Sequence, residues 1–301
     1  MLQARDRDNG LSAFGILHAL DDTRRLSKPA SMAKDTKTKP VRSETAETFR
    51  FLLKLAVVVL ILRSFIFAPF SIPSESMLPR LLIGDYLFVS KWNYGYSRWS
   101  LPFGLPLIPG RIFASDPTRG DTVVFRSMEP DDHDVIKRVI GLPGDTIQMR
   151  RGQLFLNGKA IPKQRVADFI VPITPNFSED KCGTQFQDVS ADNKPICRYP
   201  QFRETLPGGR SYLVLDQEYI AIADDTPVYR VPAGDVFLMG DNRDDSADSR
   251  FAPPEGMGYI PMERIEGKAI VNFWSTDGSA EWIKPWTWIS AARLSRIGEG
   301  F

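Results

Sequence analysis

Histidine, cysteine and net charge are all scarce in this sequence of 301 residues. It contains 2 histidines and 2 cysteines, and its formal net charge is +1. These residues are too few to build a metal site of the usual histidine and cysteine kind. A chain without an excess of positive charge also lacks the electrostatic signature of nucleic-acid binding. We therefore expect no metal or other cofactor and no nucleic-acid partner.

One apolar run stands out from this mixed composition. It extends from Phe51 to Phe70, and 16 of its 20 residues are apolar. Because about 20 apolar residues span a bilayer as a helix, we predict a transmembrane helix over residues 49–69. The alternative, a buried helix of a soluble domain, would leave Lys54 and Arg63 hard to accommodate.

The residues before this run are basic and offer little to bury. We predict that residues 1–48 form a flexible tail, which the positive-inside rule places in the cytoplasm. The residues after the run would then lie outside the cytoplasm.

Beyond the apolar run, the chain is a series of short β-rich segments that end in glycine or proline. This pattern predicts a mostly β, antiparallel fold. We predict a main β domain, residues 70–158 and 231–301, that would hold any active site, with a second β subdomain, residues 159–230, inserted in it. Cys182 and Cys197 bracket a polar loop of that subdomain, which predicts a disulfide outside the cytoplasm, with two free thiols as the alternative.

The segment Pro73–Pro79 contains two serines, Ser74 and Ser76, shortly after the apolar run. Proline restricts the backbone and removes an amide donor, so the flanking prolines argue against helix or central strand. We interpret the segment as a rigid extended turn that holds a hydroxyl close to the membrane. Either serine is then a candidate nucleophile.

A serine nucleophile needs a base, and neither histidine is well placed to be one. His18 lies on the cytoplasmic side of the predicted span, and His133 lies in an acidic segment that we expect to be solvated. A lysine whose pKa is lowered by burial is the remaining option. Lys137 lies in an apolar predicted strand beside Arg138. Since neighbouring side chains of a strand point to opposite faces, we expect one of these two to be buried and the other solvated.

Four segments, taken together and in this order, resemble bacterial type I signal peptidases, which are membrane-bound Ser-Lys proteases. The segments are PSESMLP (73–79), RGDTVVF (119–125), DVIKRVIGLPGD (134–145) and GDNRDDSADSR (240–250). Glu75 within the first segment, Arg80 directly after it and Asp245 in the fourth segment depart from the family pattern.

The resemblance implies a role for each matching residue. Ser76 would be the nucleophile and Lys137 the general base, with the Ser76 backbone N–H and the Ser74 hydroxyl as the oxyanion hole. Ser246 would hydrogen-bond to the Lys137 amine, and Asp248 and Arg250 would form a supporting ion pair. Six residues match positions that line the shallow pockets for small residues at −1 and −3 of the substrate: Phe70, Ile72, Met77, Leu81, Val135 and Ile136.

The resemblance also implies an activity and a location. The chain would cleave signal peptides from exported preproteins after Ala-x-Ala sites, through an acyl-enzyme. It would do so at the bilayer, on the periplasmic face of the bacterial cytoplasmic membrane, in functional connection with the export translocon. Two alternatives remain: a membrane-tethered β domain that binds exported chains without cleaving them, and a self-cleaving repressor-type Ser-Lys protease. A signal peptidase of the endoplasmic reticulum would carry histidine in place of Lys137.

Overall fold

The computed structural model describes residues 44–128, 133–281 and 283–301. The chain divides into two compact units, residues 1–47 and 48–301. Most of the first unit, and with it most of the predicted tail and His18, lies outside the described residues.

Helix α1 (Glu44–Phe65) contains the predicted apolar run. Glu44 and Glu47 lie in its first turn and Arg63 in its last, where each charge interacts favourably with the helix dipole. Among the helices of the described residues, none is both long enough and apolar enough to cross a bilayer. The predicted transmembrane helix over 49–69 is therefore not confirmed. The chain after Ile66 is a strand rather than the end of a helix.

The described residues form nineteen strands and two further short α-helices. The strands are β1 (Phe67–Ser71), β2 (Asp85–Ser90), β3 (Tyr96–Ser97), β4 (Arg111–Ile112), β5 (Thr122–Arg126), β6 (Asp134–Gly141), β7 (Thr146–Arg150), β8 (Gln153–Leu156), β9 (Lys159–Ala160), β10 (Lys163–Arg165), β11 (Phe169–Pro172), β12 (Gln187–Val189), β13 (Pro195–Tyr199), β14 (Gln201–Thr205), β15 (Ser211–Leu215), β16 (Tyr229–Arg230), β17 (Asp235–Met239), β18 (Ile260–Pro261) and β19 (Ile265–Ser275). The helices are α2 (Ala221–Asp224) and α3 (Trp286–Ser290). Single 3₁₀ turns cover Trp92–Tyr94, Arg98–Ser100, Pro102–Gly104, Glu179–Lys181, Thr184–Phe186, Met262–Arg264 and Leu294–Arg296. The mostly β, antiparallel architecture predicted from the sequence is confirmed.

A seven-stranded sheet positions the candidate site. Its strand order is β1-β2-β19-β5-β6-β17-β18, and its paired strands are antiparallel. Strand β17 pairs with β6 only from Arg138 onward. Residues 134–137 therefore have a partner strand on one side only, and β1 forms one border of the sheet. Both of these edges are available for an added strand.

Four smaller sheets surround the large one. Their strand orders are β10-β14-β15, β11-β13-β12, β16-β7-β8-β9 and β3-β4. The two ends of the predicted inserted subdomain, β9 and β16, pair with β8 and β7 of the main domain. Residues 48–301 thus form one compact unit, and the boundaries at 159 and 230 stay a prediction.

The predicted disulfide is present between Cys182 and Cys197, whose α-carbons are 5.9 Å apart. Both cysteines are buried in an apolar cluster that also contains Leu78 and Leu215. Because Leu78 belongs to the serine-containing segment, this cluster joins the disulfide loop to the candidate site. The burial of Leu78 in this cluster adds to the rigidity of the serine-containing segment.

Candidate active site

The turn that carries Ser76 is held from both sides. The next two residues, Met77 and Leu78, are almost fully buried and anchor the turn in two apolar clusters. On the other side, Asn242 donates its backbone N–H to the Ser76 carbonyl at 3.1 Å and its side-chain amide to the Glu75 carbonyl at 3.3 Å. The hydroxyl of Ser76 therefore occupies a position defined by packing and by main-chain hydrogen bonds.

Strand β6 brings Lys137 to this hydroxyl. The Lys137 Nζ atom donates a hydrogen bond to Ser76 Oγ at 2.7 Å and a second one to the Ile136 carbonyl at 3.1 Å. The lysine is only 4% exposed. Burial lowers its pKa from 10.5 to about 8, although the charges of Asp248 and Asp241 act in the opposite direction. A fraction of the lysine is therefore neutral near pH 7.

Arg138 points away from Lys137 but is also buried, so the prediction that one of the pair stays solvated is wrong. Its guanidinium forms a two-pronged ion pair with Asp241, with donor–acceptor distances of 2.7 and 2.6 Å. Arginine remains charged inside a protein and so requires a carboxylate there. Strand β6 thus buries Arg138 on one face, where it pairs with Asp241, and Lys137 on the other face, beside the Ser76 hydroxyl.

Ser74 lies beside the pair. Its Oγ atom is 3.5 Å from Ser76 Oγ. The two hydroxyls therefore face the same region of the cleft.

The predicted ion pair between Asp248 and Arg250 is present, with both side chains fully buried and 2.9 Å between Nε and Oδ1. Burial opposes ionisation of Asp248, but Arg250 and the backbone N–H groups of Gly240 and Arg250 outweigh it. The pKa of Asp248 therefore lies below its usual value. This carboxylate keeps a fixed negative charge near Lys137.

The predicted hydrogen bond from Ser246 to Lys137 is absent. The Ser246 Oγ atom is buried and has no hydrogen-bond partner among the described residues. A methyl group built on Gly240 would lie 2.3 Å from Ser246 Oγ and 2.6 Å from the Ser76 carbonyl oxygen. Gly240 therefore allows the Ser246 side chain and the Ser76 backbone to converge.

Gly240, Asp241 and Asn242 stand out in the sequence only as part of a motif, from which their individual contributions were not predicted. Gly240 supplies space, Asp241 neutralises Arg138, and Asn242 holds the carbonyls of the serine turn. The available signal was their position: three consecutive turn-type residues directly follow the buried strand β17. That signal marks a special loop but does not reveal which residue each side chain contacts.

A small cleft of about 170 Å³ opens in front of the Ser76 hydroxyl. Four of the six predicted pocket residues line it: Phe70, Ile72, Val135 and Ile136. The other two, Met77 and Leu81, are fully buried in the core cluster behind it and do not belong to its lining. They support the cleft because Ile72 and Ile136 belong to the same cluster.

His133 also lies at the rim of this cleft. Its Nδ1 atom is 3.5 Å from Ser127 Oγ. The structure thus brings a lysine, rather than this histidine, into hydrogen-bond contact with Ser76.

Known proteins resemble this chain over most of its length. A profile of the family described as "Signal peptidase, peptidase S26" matches residues 45–274. Signal peptidase I of Rickettsia typhi is 38% identical over 284 residues, which cover 87% of this chain and 95% of that protein. Signal peptidase I of Rickettsia canadensis is 37% identical over 284 residues, covering 87% of this chain and 96% of that protein.

A crystal structure of a signal peptidase I from Enterococcus faecalis is 28% identical and covers 51% of this chain and 97% of that one, with a TM-score of 0.26. At that TM-score the comparison says nothing about the fold, and the assignment rests on the family profile and on the relatives from Rickettsia. This chain therefore belongs to the signal peptidase family, peptidase S26, and is a serine endopeptidase.

Proposed function

We propose that this chain removes N-terminal signal peptides from exported preproteins, with Ser76 as the nucleophile and Lys137 as the general base. The observation that carries the proposal is the 2.7 Å contact between the buried Lys137 Nζ and Ser76 Oγ. A buried amine with a lowered pKa can accept a proton near neutral pH, which an exposed lysine cannot do.

The proposed reaction begins with neutral Lys137. As Ser76 Oγ forms a bond to the scissile carbonyl carbon, its proton moves to Lys137 Nζ. The carbonyl oxygen becomes an oxyanion, for which the Ser76 backbone N–H and the Ser74 hydroxyl are the proposed donors. One such donor is typically worth about 3 kcal/mol in the transition state.

The tetrahedral intermediate then collapses. The C–N bond breaks, and the Lys137 ammonium returns its proton to the leaving amine, which is the N-terminus of the mature protein. The signal peptide remains as an ester on Ser76 Oγ. Water, deprotonated by the neutral lysine, hydrolyses this ester and regenerates both groups.

Substrate preference follows from the size of the cleft. A volume of about 170 Å³ accommodates small side chains, which supports cleavage after Ala-x-Ala sites. The free edges of β1 and of residues 134–137 border this cleft, so an extended signal peptide can pair its main chain there. Phe70, Ile72, Val135 and Ile136 would contact its side chains.

The proposed place of action is the periplasmic face of the bacterial cytoplasmic membrane, where the export translocon delivers preproteins. The disulfide supports an oxidising compartment. Several large apolar side chains are more than two-thirds exposed, among them Phe103, Leu107, Phe113 and Trp286. Such a surface suits contact with a bilayer interface.

Incubation of a preprotein carrying an Ala-x-Ala site with the wild type, Ser76→Ala and Lys137→Ala tests the proposal. The wild type should release the mature protein, and both variants should lose nearly all activity. A matched Ser290→Ala variant, which removes an exposed hydroxyl of α3 outside the cleft lining, should retain it. Cleavage by either dyad variant at the wild-type rate would refute the assignment, as would binding without cleavage by the wild type.

A further inference from the structure

Three aspartates form a cluster outside the proposed catalytic pair. Asp216 follows β15, Asp224 ends α2, and Asp244 follows β17. One carboxylate oxygen of each lies within 4.8 Å of those of the other two. None of the three takes part in the chemistry proposed above, so their convergence needs a separate explanation.

Two of these carboxylates each keep one buried oxygen without a partner. Asp224 is 1% exposed, and its Oδ2 accepts the N–H of Ile220 at 2.7 Å, but its Oδ1 has no hydrogen-bond partner in the described part of the chain. Asp244 Oδ2 accepts the backbone N–H groups of Gln217 and Glu218, whereas Asp244 Oδ1 is buried and equally unpartnered within those residues. Buried carboxylate oxygens normally have a donor or a cation beside them.

The unpartnered oxygen of Asp224 faces the same space as Asp216. A methyl group built on Gly152 would lie 3.2 Å from Asp216 Oδ2 and 3.7 Å from Asp224 Oδ1. The α-carbon of Gly152 thus forms one wall of the cluster. This wall carries no side chain that could fill the space between the carboxylates.

The positively charged side chains near the cluster do not neutralise its three carboxylates. Lys163 pairs with Asp216 Oδ2 and donates to the Gly152 carbonyl at 2.8 Å. Arg250 also acts electrostatically on Asp224, but its Nε and Nη2 atoms bond to Asp248, and its Nη1 atom has no hydrogen-bond partner among the described residues. Burial, together with the charges of Asp216 and Asp224, raises the pKa of Asp244 to about 6 even though two backbone N–H groups oppose the shift.

We propose that Asp216, Asp224 and Asp244 bind a hard divalent cation, with Ca²⁺ as the best fit. Carboxylate oxygens are the preferred ligands of Ca²⁺, which binds them at about 2.3–2.6 Å and accepts irregular geometry. The absence of histidine and cysteine from the cluster disfavours zinc. The bound cation takes up the two unpartnered oxygens and offsets the repulsion among the three carboxylates.

The cation would connect two regions that are distant in sequence. Asp216 and Asp224 flank a loop between β15 and β16, whereas Asp244 belongs to the 240–250 segment that also carries Ser246. This loop already contacts the segment, since Gln217 Nε2 donates to Asn242 Oδ1 at 2.8 Å. Cation binding would therefore stabilise the segment behind the proposed catalytic pair. It is independent of whether that pair cleaves signal peptides.

Direct binding measurements on the full-length protein test the site. The protein, purified in detergent and treated with EDTA, is dialysed against radioactive Ca²⁺, and its melting temperature is recorded with and without Ca²⁺. We expect one saturable Ca²⁺ per chain and a melting temperature that rises with Ca²⁺ concentration. Absence of saturable binding in the wild type would overturn the proposal.

Two substitutions with opposite expected effects sharpen this test. Asp224→Asn removes a ligand charge and should weaken Ca²⁺ binding by roughly tenfold or more. Lys163→Met removes the competing ammonium, which also lies over the Phe202 ring, while keeping an apolar side chain of similar length, and should strengthen binding. Asp192→Asn, an equal change of charge in an exposed turn, should leave affinity unchanged. Equal affinities of the wild type, Asp224→Asn and Lys163→Met would show that no cation occupies the cluster.

Discussion

Lys137 Nζ donates a hydrogen bond to Ser76 Oγ across 2.7 Å, although 61 residues separate the two in the chain. Strand β6 supplies the lysine, and the turn after β1 supplies the serine. The lysine is buried where Asp241 and Asp248, the carboxylates that act on its charge, already pair with arginines. The Lys137 amine is therefore shielded from water and, among the described residues, forms no ion pair with a carboxylate.

The pH dependence of cleavage should report this environment. Only neutral Lys137 can accept the proton of Ser76, so kcat/KM should rise with pH and level off above about 8, the lowered pKa of the lysine. The measurement is initial rates of preprotein cleavage across a range of pH. His133→Gln should show the same profile, because that ring does not bond to Ser76. A rise of kcat/KM with pH that disappears in the His133 variant would assign the base to histidine instead.

Replacing the buried lysine should stabilise the protein while it abolishes activity. Below about pH 8 the lysine is protonated in both states, and the folded state bears the cost of burying the charge. A change in pKa from 10.5 to about 8 corresponds to about 3 kcal/mol. Lys137→Met should therefore raise the melting temperature at pH 7 by several degrees. The gain should shrink as pH rises from about 8 and vanish near 10.5, where the lysine is neutral in both states. A lower melting temperature at pH 7 would contradict this account.

Ser246 and Ser249 should respond differently to the same substitution. Ser249 Oγ accepts the backbone N–H of Leu238 at 3.0 Å, so Ser249→Ala should cost about 1–3 kcal/mol in the free energy of unfolding. Ser246 Oγ makes no such bond among the described residues, so Ser246→Ala should leave stability unchanged or raised. Denaturant unfolding of the two variants compares them directly.

Kinetics of the Ser246 variant test its proposed role as a positioning residue. Hydrogen bonds in an active site often become short only in the substrate complex. If Ser246 bonds to Lys137 in the substrate complex, Ser246→Ala should lower kcat by roughly tenfold or more. It should also shift the pH at which kcat/KM levels off. An unchanged kcat together with an unchanged profile would remove Ser246 from the catalytic machinery.

The ion pair between Arg138 and Asp241 should be essential for stability. Asp241→Asn leaves a buried guanidinium without its carboxylate, which typically costs about 3–5 kcal/mol. The double variant Arg138→Met/Asp241→Leu removes both charges and should recover most of that loss. Chemical denaturation of the wild type and the two variants measures this. An equal loss in the single and double variants would mean that the pair acts through packing rather than charge.

Much of the architecture could be predicted because the relevant signals are local. Glycine and proline at the ends of short β-rich runs indicated a mostly β fold, and the two cysteines indicated a disulfide that is present. The boundary of α1 could not be predicted in this way. The apolar run continues through Phe70, and hydropathy does not record that the chain enters β1 at Phe67 and pairs with β2.

The candidate site, like the fold, could be predicted from the sequence only in part. Alternation along β6 predicted that Lys137 and Arg138 face opposite sides, but not that both are buried, because burial of Arg138 depends on Asp241 from another strand end. Likewise, Met77 and Leu81 match pocket positions in sequence yet lie in the core, since the turn packs them beneath the cleft.

The sequence by itself determined which residues are available for chemistry. It has two histidines, one of them outside the described residues, and it places two serines between prolines and a lysine in an apolar strand. The tertiary structure decided which of these side chains meet. Ser76 accepts a hydrogen bond from Lys137, whereas the Ser246 hydroxyl makes none among the described residues, because hydrogen-bond geometry is set to a few tenths of an ångström by packing between distant segments. Periodicity along a single chain carries no such information.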